Sequence, residues 1–131
     1  MLASVVIRTY NEEKYLDQLL TAVTNQKCEH VDLEIIVVDS GSTDATVDIA
    51  NKHKCRITQI KKEDFTFGRS LNIGCEFARG DFLLFVSGHC IPTNENWLDE
   101  MCQPLINGIP GRNRLSISGY NASGNNVGTF I

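Results

Sequence analysis

The 131-residue chain predicts an α/β fold built on a doubly wound, mainly parallel sheet. Three observations carry this. Four short apolar runs recur at Ala3–Arg8, Leu33–Val38, Arg56–Ile60 and Asp81–Val86. Stretches with helical apolar spacing separate them, and turn-and-cap residues stand at the junctions. The runs are near-continuous rather than alternating, which suits strands buried on both faces. Strands alternating with helices imply parallel pairing, and right-handed crossovers then place helices on both faces of the sheet.

The elements follow in order. Ala3–Arg8 (ASVVIR) is short and β-branched and reads as a buried strand. Asn11 can cap a helix starting at Glu12, whose Leu16, Leu19, Leu20 and Val23 share one face. Leu33–Val38 (LEIIVV) is the strongest strand signal and runs into the turn cluster Asp39-Ser40-Gly41-Ser42-Thr43-Asp44. A second helix is expected over 44–54, then a weaker strand at Arg56–Ile60 and a polar loop over 61–67 containing Phe65 and Phe67. A third helix over 69–78 has a small-residue face of Leu71, Gly74, Cys75 and Ala78, and Gly80 ends it. Asp81–Val86 is the last clear buried strand. Beyond Pro92, Thr93 or Asn94 can cap a fourth helix with Trp97, Leu98 and Met101 on one side. Two units are expected: an α/β domain over 1–104 and an irregular tail over 105–131. In that tail Leu115-Ser116-Ile117-Ser118 is a candidate edge strand.

Composition bounds the function. Hydrophobic residues make up 42% and charged residues 21%, as in an ordinary globular protein. A formal net charge of -4 argues against a nucleic-acid partner. No run approaches the roughly 18 apolar residues of a membrane span. The first residues lack the basic and apolar segments of a signal peptide, so a cytoplasmic location is expected. The five cysteines have no CxxC spacing and read as thiols in a reducing compartment. His30 and His53 lie among polar neighbours and read as solvated.

In a doubly wound sheet the ligand sits outside the carboxyl ends of the strands. That directs attention to Thr9-Tyr10-Asn11-Glu12, Asp39 to Asp44, the loop before Arg69, and Ser87-Gly88-His89-Cys90. Physically, Asp39 to Asp44 is either a plain strand-to-helix turn or a ligand-facing loop, and Asn11-Glu12 is either an N-cap or part of the same site. Neither GxGxxG nor GxxxxGK[ST] follows the first strand, which argues against dinucleotide and P-loop sites.

Three segments in register carry a resemblance. Val5-Val6-Ile7-Arg8-Thr9-Tyr10-Asn11-Glu12-Glu13 looks like the opening of family 2 glycosyltransferases. Glu34 to Asp44 (EIIVVDSGSTD) resembles that family's second-strand signature. Gly68 to Gly74 (GRSLNIG) followed by Ala78 to Phe85 (ARGDFLLF) resembles its third. The order and spacing agree from residue 3 to about 102. The resemblance implies a Rossmann-like nucleotide-diphospho-sugar transferase fold and an inverting transfer of sugar to a glycan or other acceptor hydroxyl. It also implies polysaccharide biosynthesis, in the cytoplasm or peripheral to the inner face of the membrane. By position, Thr9, Tyr10 and Glu12 would line the nucleoside pocket, with Ser40 beside them. Asp39 would accept the imide hydrogen of a pyrimidine. Arg69 would lie near the diphosphate, with Asn72 on the same wall.

The departures matter as much. Where the family usually carries Asp-x-Asp, this chain has Ser87-Gly88-His89. Ser87 can still meet a ribose hydroxyl. His89 can ligate a metal or donate to phosphate, and Mn or Mg would be held weakly without the carboxylates. Residues 105–131 contain no Asp or Glu to serve as an acceptor-side base. The chain therefore reads as the donor-binding half of an apparently truncated enzyme, inactive alone and prone to form a homo-oligomer through residues 105–131. The rival reading is a non-catalytic nucleotide-sugar-binding module.

Overall fold

The computed structural model describes residues 1–29, 31–92, 94–106, 116–118 and 129–130. The elements run β1 (Leu2–Thr9), α1 (Leu16–Thr24), β2 (Asp32–Asp39), α2 (Thr46–Lys52), β3 (Arg56–Gln59), a 3-10 turn (Lys62–Asp64), α3 (Phe67–Phe77), β4 (Phe82–Ser87), α4 (Trp97–Ile106), β5 (Ser116–Ser118) and β6 (Thr129–Phe130). The sheet order is β3-β2-β1-β4-β5-β6. β1 pairs parallel to both β2 and β4, β2 to β3, and β4 to β5, while β6 runs antiparallel to β5. The doubly wound, mainly parallel sheet expected from the strand runs is the one found.

The period-2 alternation of each strand divides its side chains between two cores. Val5, Ile7, Val37, Leu84 and Val86 join Leu16, Leu19, Leu20 and Val23 of α1, Ala50 of α2, and Trp97, Leu98 and Cys102 of α4 on one face. Val6, Ile36, Val38, Leu83 and Phe85 face α3, whose Leu71 and Cys75 pack against them together with Ala78 just beyond its end. α3 lies close because Gly74 has no side chain. A Cβ there would run into Val6 Cγ1 and reach Val38 Cγ2 at 3.5 Å. Each fully buried leucine or isoleucine in these cores contributes about 2 kcal/mol.

Helix starts differ from the sequence expectation, and the reasons are specific. α1 begins at Leu16, four residues after the Glu12 start. Asn11 does not cap it, because its φ is 50°. Instead the N–H of Asn11 donates to Ser42 Oγ (2.9 Å), that of Glu12 to Thr46 Oγ1 (2.9 Å), and that of Glu13 to Asp44 Oδ2 (3.3 Å). The donors that a first helical turn would leave unpaired are satisfied across the neighbouring loop. α2 begins at Thr46 rather than Asp44, with Asp44 Oδ1 accepting from the Thr46 N–H at 2.9 Å. α3 starts earlier than expected, at Phe67, because Thr66 Oγ1 caps it by accepting from the Arg69 N–H at 3.0 Å. Before α4, Asn94 Oδ1 accepts from the Asn96 N–H at 2.8 Å, while the alternative cap Thr93 lies outside the described residues. His53 is not solvated: its side chain is only 18% exposed and its Nε2 lies 2.8 Å from Asp17 Oδ1, which tethers α2 to α1. His30 and most of the 105–131 segment, with the association expected of it, lie outside the described residues.

Candidate functional site

β1 leads on to β2 on one side of the pair and β4 to β5 on the other, so a crevice opens at their carboxyl ends. A recess of ≈ 140 Å³ there is lined by Thr9, Tyr10, Glu12, Ser40, Ser87 and His89 of the sequence-predicted set. Arg8, Phe65 and Phe67 complete its wall. A slot beside it is formed by Tyr10, Ser40, Lys62 and Phe65. Arg69 and Asn72 do not reach this recess. They line a separate depression of ≈ 590 Å³ with Gln59, Lys61 and Asp64, where Arg69 Nη1 donates to the Asp64 carbonyl at 3.1 Å.

Asp39 stands behind the recess and is 1% exposed. Its Oδ1 accepts from Thr9 Oγ1 at 2.7 Å and from Ser42 Oγ at 2.6 Å. Its Oδ2 accepts from the N–H groups of Gly41 (3.1 Å) and Ser42 (2.9 Å). A carboxylate buried at a strand end is stable only with such donors. Gly41 supplies the left-handed turn they require, at φ 93°. Asp39 thereby joins β1 to the β2–α2 loop, and Ser40 Oγ adds a bond to the Thr9 carbonyl at 3.0 Å.

The β4 end closes against the β1–α1 loop. The Gly88 N–H donates to the Arg8 carbonyl at 2.9 Å, and the Cys90 N–H to that of Ser87 at 3.0 Å. A Cβ on Gly88 would meet Glu12 Cγ at 2.8 Å, so the glycine lets Glu12 lie against the turn. His89 Nδ1 then sits 3.3 Å from Glu12 Oε1. Cys90 is buried, and desolvation pushes its thiol pKa up, aided by the charge of Glu12.

Three wall residues were missed in the sequence. Arg8 reads as the end of an apolar strand, yet its guanidinium lies 4.7 Å from the centre of the Phe67 ring. Its Nη2 is 3.4 Å from Ser87 Oγ, and its Nε is buried with no partner. Phe65 and Phe67 meet edge to face at 5.4 Å, and Phe67 is 67% exposed. A cation closing an otherwise apolar strand and two phenylalanines in a polar loop were the available signals.

Residues 4–110 match the sequence pattern described as Glycosyl transferase family 2. The chain belongs to that family. It is 34% identical over 87 residues to the poly(ribitol-phosphate) beta-N-acetylglucosaminyltransferase TarS of Staphylococcus aureus, a match covering 63% of this chain and 15% of TarS. The structure of TarS residues 1–349 in complex with UDP-GlcNAc superposes with a TM-score of 0.69 at 29% identity, over 82% of this chain and 32% of that one. The putative glycosyltransferase EpsH of Bacillus subtilis is 30% identical over 129 residues, covering 95% of this chain and 35% of EpsH. Glucosyl-3-phosphoglycerate synthase from Mycobacterium tuberculosis, in complex with Mn2+, UDP and glucosyl-3-phosphoglycerate, gives a TM-score of 0.72 at 25% identity, over 92% of this chain and 44% of that one. This family 2 chain thus spans less than half the length of each of these relatives.

The donor set of the recess does not fit the manganese held by the last of those relatives. Hard divalent cations take oxygen ligands, chiefly carboxylates. Here the β4 end offers a hydroxyl, a glycine and one imidazole; the carboxylate lining the recess, Glu12, faces His89, and Asp39 behind it is filled by Thr9, Gly41 and Ser42. Among the described residues no group of three or more His, Cys, Asp or Glu side chains could hold a metal ion. No helix among them is long and apolar enough to cross a membrane.

Proposed function

We propose that this chain forms the donor-binding part of an inverting glycosyltransferase, one that moves a sugar from a nucleoside-diphosphate sugar to an acceptor hydroxyl on a glycan or similar molecule. The observation that carries the reading is the crevice at the β1 and β4 carboxyl ends, in a chain similar over most of its length to a structure holding UDP-GlcNAc. Tyr10 and Phe65 flank a slot suited to a planar base, beside Thr9 and Ser40. Asp39 would meet the base only if Ser42 Oγ releases its Oδ1. Ser87 offers its hydroxyl to the ribose. Arg69 and Asn72, in the adjoining depression, would contact the donor only as it extends past the 61–67 loop. A departing nucleoside diphosphate needs neutralising positive charge. With one imidazole in place of a carboxylate pair, a divalent cation accompanying the donor would be held weakly, through His89 and the donor's own phosphates. In the whole protein an acceptor-side carboxylate would deprotonate the acceptor hydroxyl.

Titration calorimetry and amide chemical-shift mapping with UDP, dTDP and GDP test this reading. At least one of the three should give saturable binding, with shifts at Thr9, Tyr10, Ser40 and Ser87. Absence of heat and of shifts with all three overturns it.

A further inference from the structure

Arg8 holds a position that its own fold does not explain. It is the penultimate residue of β1, in register with Ser87 of β4, and reaches into the recess on the α3 side of the sheet. A guanidinium carries five N–H donors and no acceptor. Here Nη2 has one long bond to Ser87 Oγ, Nε is buried without a partner, and no carboxylate among the described residues forms an ion pair with it. Burial lowers its pKa below the ordinary value, against an opposing contribution from Cys90. Cys90 supplies no counter-charge, because its own desolvation keeps it a neutral thiol.

The acids of the crevice are committed elsewhere. Glu12 faces His89, and both Asp39 oxygens are filled by Thr9, Gly41 and Ser42. Arg69, the cation that the family resemblance puts near the diphosphate, is turned into another depression and bonded to Asp64. The Arg8 guanidinium lies 4.7 Å from the centre of the Phe67 ring and lines the recess, where its terminal N–H donors can take an anion. A half-buried cation without a counter-charge is costly, and an anionic ligand would complete it.

We propose that Arg8 is a phosphate-binding residue, its guanidinium taking the diphosphate of the nucleotide-sugar donor at the β4 end where the chain lacks a carboxylate pair. The proposal rests on the donor-binding reading above and adds to it the group that recognises the anion. Guanidinium and phosphate match in planar, two-point geometry. Binding of the diphosphate should then persist without a divalent cation.

The test uses the full chain labelled with 15N-arginine and three probes, UDP, uridine and inorganic pyrophosphate, all in chelator. In the wild type, UDP should bind roughly tenfold to a hundredfold tighter than uridine, the worth of charge-assisted hydrogen bonds. The Arg8 Nε–Hε resonance should move with UDP and with pyrophosphate and stay still with uridine. Arg8→Gln, checked for folding by its melting curve, should lose most of the UDP preference and keep uridine binding. If UDP binds but Arg8→Gln keeps the preference, or if the wild-type Nε–Hε signal is unmoved at saturating UDP, the Arg8 proposal is overturned and the donor-binding reading stands. If the wild type binds none of UDP, dTDP and GDP, the donor-binding reading falls and takes the Arg8 proposal with it; if it takes dTDP or GDP instead, that nucleotide and its nucleoside replace UDP and uridine in the same comparison. The wild-type resonance decides the matter even where the variant fails to fold.

Discussion

Arg56 and Arg8 use the same device on one sheet, the first with partners toward the amino ends of the strands and the second at the carboxyl ends. Arg56, at the start of β3, lies 4.2 Å from the centre of the Phe77 ring, and Arg8, near the end of β1, lies 4.7 Å from that of Phe67. Arg56 is closed off. Its Nη1 donates to Glu34 Oε2 at 3.1 Å and to the Phe77 carbonyl at 2.7 Å. Glu34 in turn accepts from Ser4 Oγ (2.5 Å) and the Arg79 N–H (2.6 Å), and Ser4 Oγ accepts from the Gly80 N–H at 2.8 Å. Arg8 has one long bond and an orphaned nitrogen. The closed network ties β1, β2, β3 and the α3–β4 turn together, so its worth is in the fold. The open one leaves donors for something the chain does not supply. Satisfaction of hydrogen bonds separates these roles where residue type and ring contact do not.

The largest effect should come from the closed end. A Cβ at Gly80 would strike Ser4 Oγ, and would lie 2.8 Å from the Ser4 nitrogen and 2.9 Å from the Leu2 carbonyl. Backbone atoms cannot step aside as a side chain can. Gly80→Ala should therefore destabilise by about 3 kcal/mol in urea melts. At the open end Gly88→Ala meets Glu12 Cγ at 2.8 Å, a movable side chain, and the Arg8 carbonyl only at 3.1 Å, and should cost about 1 kcal/mol. Equal losses at the two glycines would break the contrast.

Next comes the charge at the hub. Glu34→Gln keeps the shape, removes the charge facing Arg56, and turns one acceptor into a donor, set either against Arg56 Nη1 or against both Ser4 Oγ and the Arg79 N–H. A loss of about 2 kcal/mol is expected from the unpaired groups. The same hub should be visible in acid. Desolvation acts to raise the Glu34 pKa, but hydrogen bonds from Ser4, the Arg79 N–H and Arg56, with the Arg56 charge, outweigh it and hold the carboxyl below its ordinary 4.5. A carboxylate with a lowered folded pKa contributes stability that is full above its unfolded value and is lost as pH falls through the folded one. Stability measured from pH 6 downward should thus fall more steeply in the wild type than in Glu34→Gln. Parallel curves would show that Glu34 does not carry the acid dependence.

The difference between the ends also marks what was legible in the sequence. Strand runs such as LEIIVV and the Leu16-Leu19-Leu20-Val23 face are local patterns, and both appear in the buried core. Thr9, Tyr10, Glu12, Ser40, Ser87 and His89 converge in one recess because each stands at or just after the carboxyl end of a parallel strand, a rule that topology alone supplies. The start of α1 was not legible, since the donors of residues 11–13 are satisfied by Ser42, Asp44 and Thr46, about thirty positions away. Neither was Arg69's placement beside Asp64, which depends on the local path of the 61–67 loop. Arg8 was hidden for the opposite reason. It completes a strand pattern, and its importance lies in partners it lacks, which no sequence pattern records.

The smallest effect on stability, and the sharpest test of the comparison, is expected from a matched pair of substitutions. Arg56→Met keeps the packing on Phe77 but leaves the Glu34 carboxylate without its cation, so it should destabilise by about 2 kcal/mol. Arg8→Met likewise puts an apolar chain of similar length beside Phe67, yet strands no carboxylate and removes a partly buried charge with an unsatisfied nitrogen. Replacing a poorly compensated cation by an apolar side chain of similar length is neutral or stabilising. The change should lie within about 0.5 kcal/mol of zero, or favour the folded state. Urea melts of both variants at neutral pH read this directly. A loss at Arg8 as large as that at Arg56 would mean that Ser87 and Phe67 hold the guanidinium as a structural element, and the two ends of the sheet would then be built alike. A stable Arg8→Met protein would place the residue among those that natural proteins keep at some expense to stability, because a ligand rather than the fold completes their bonding.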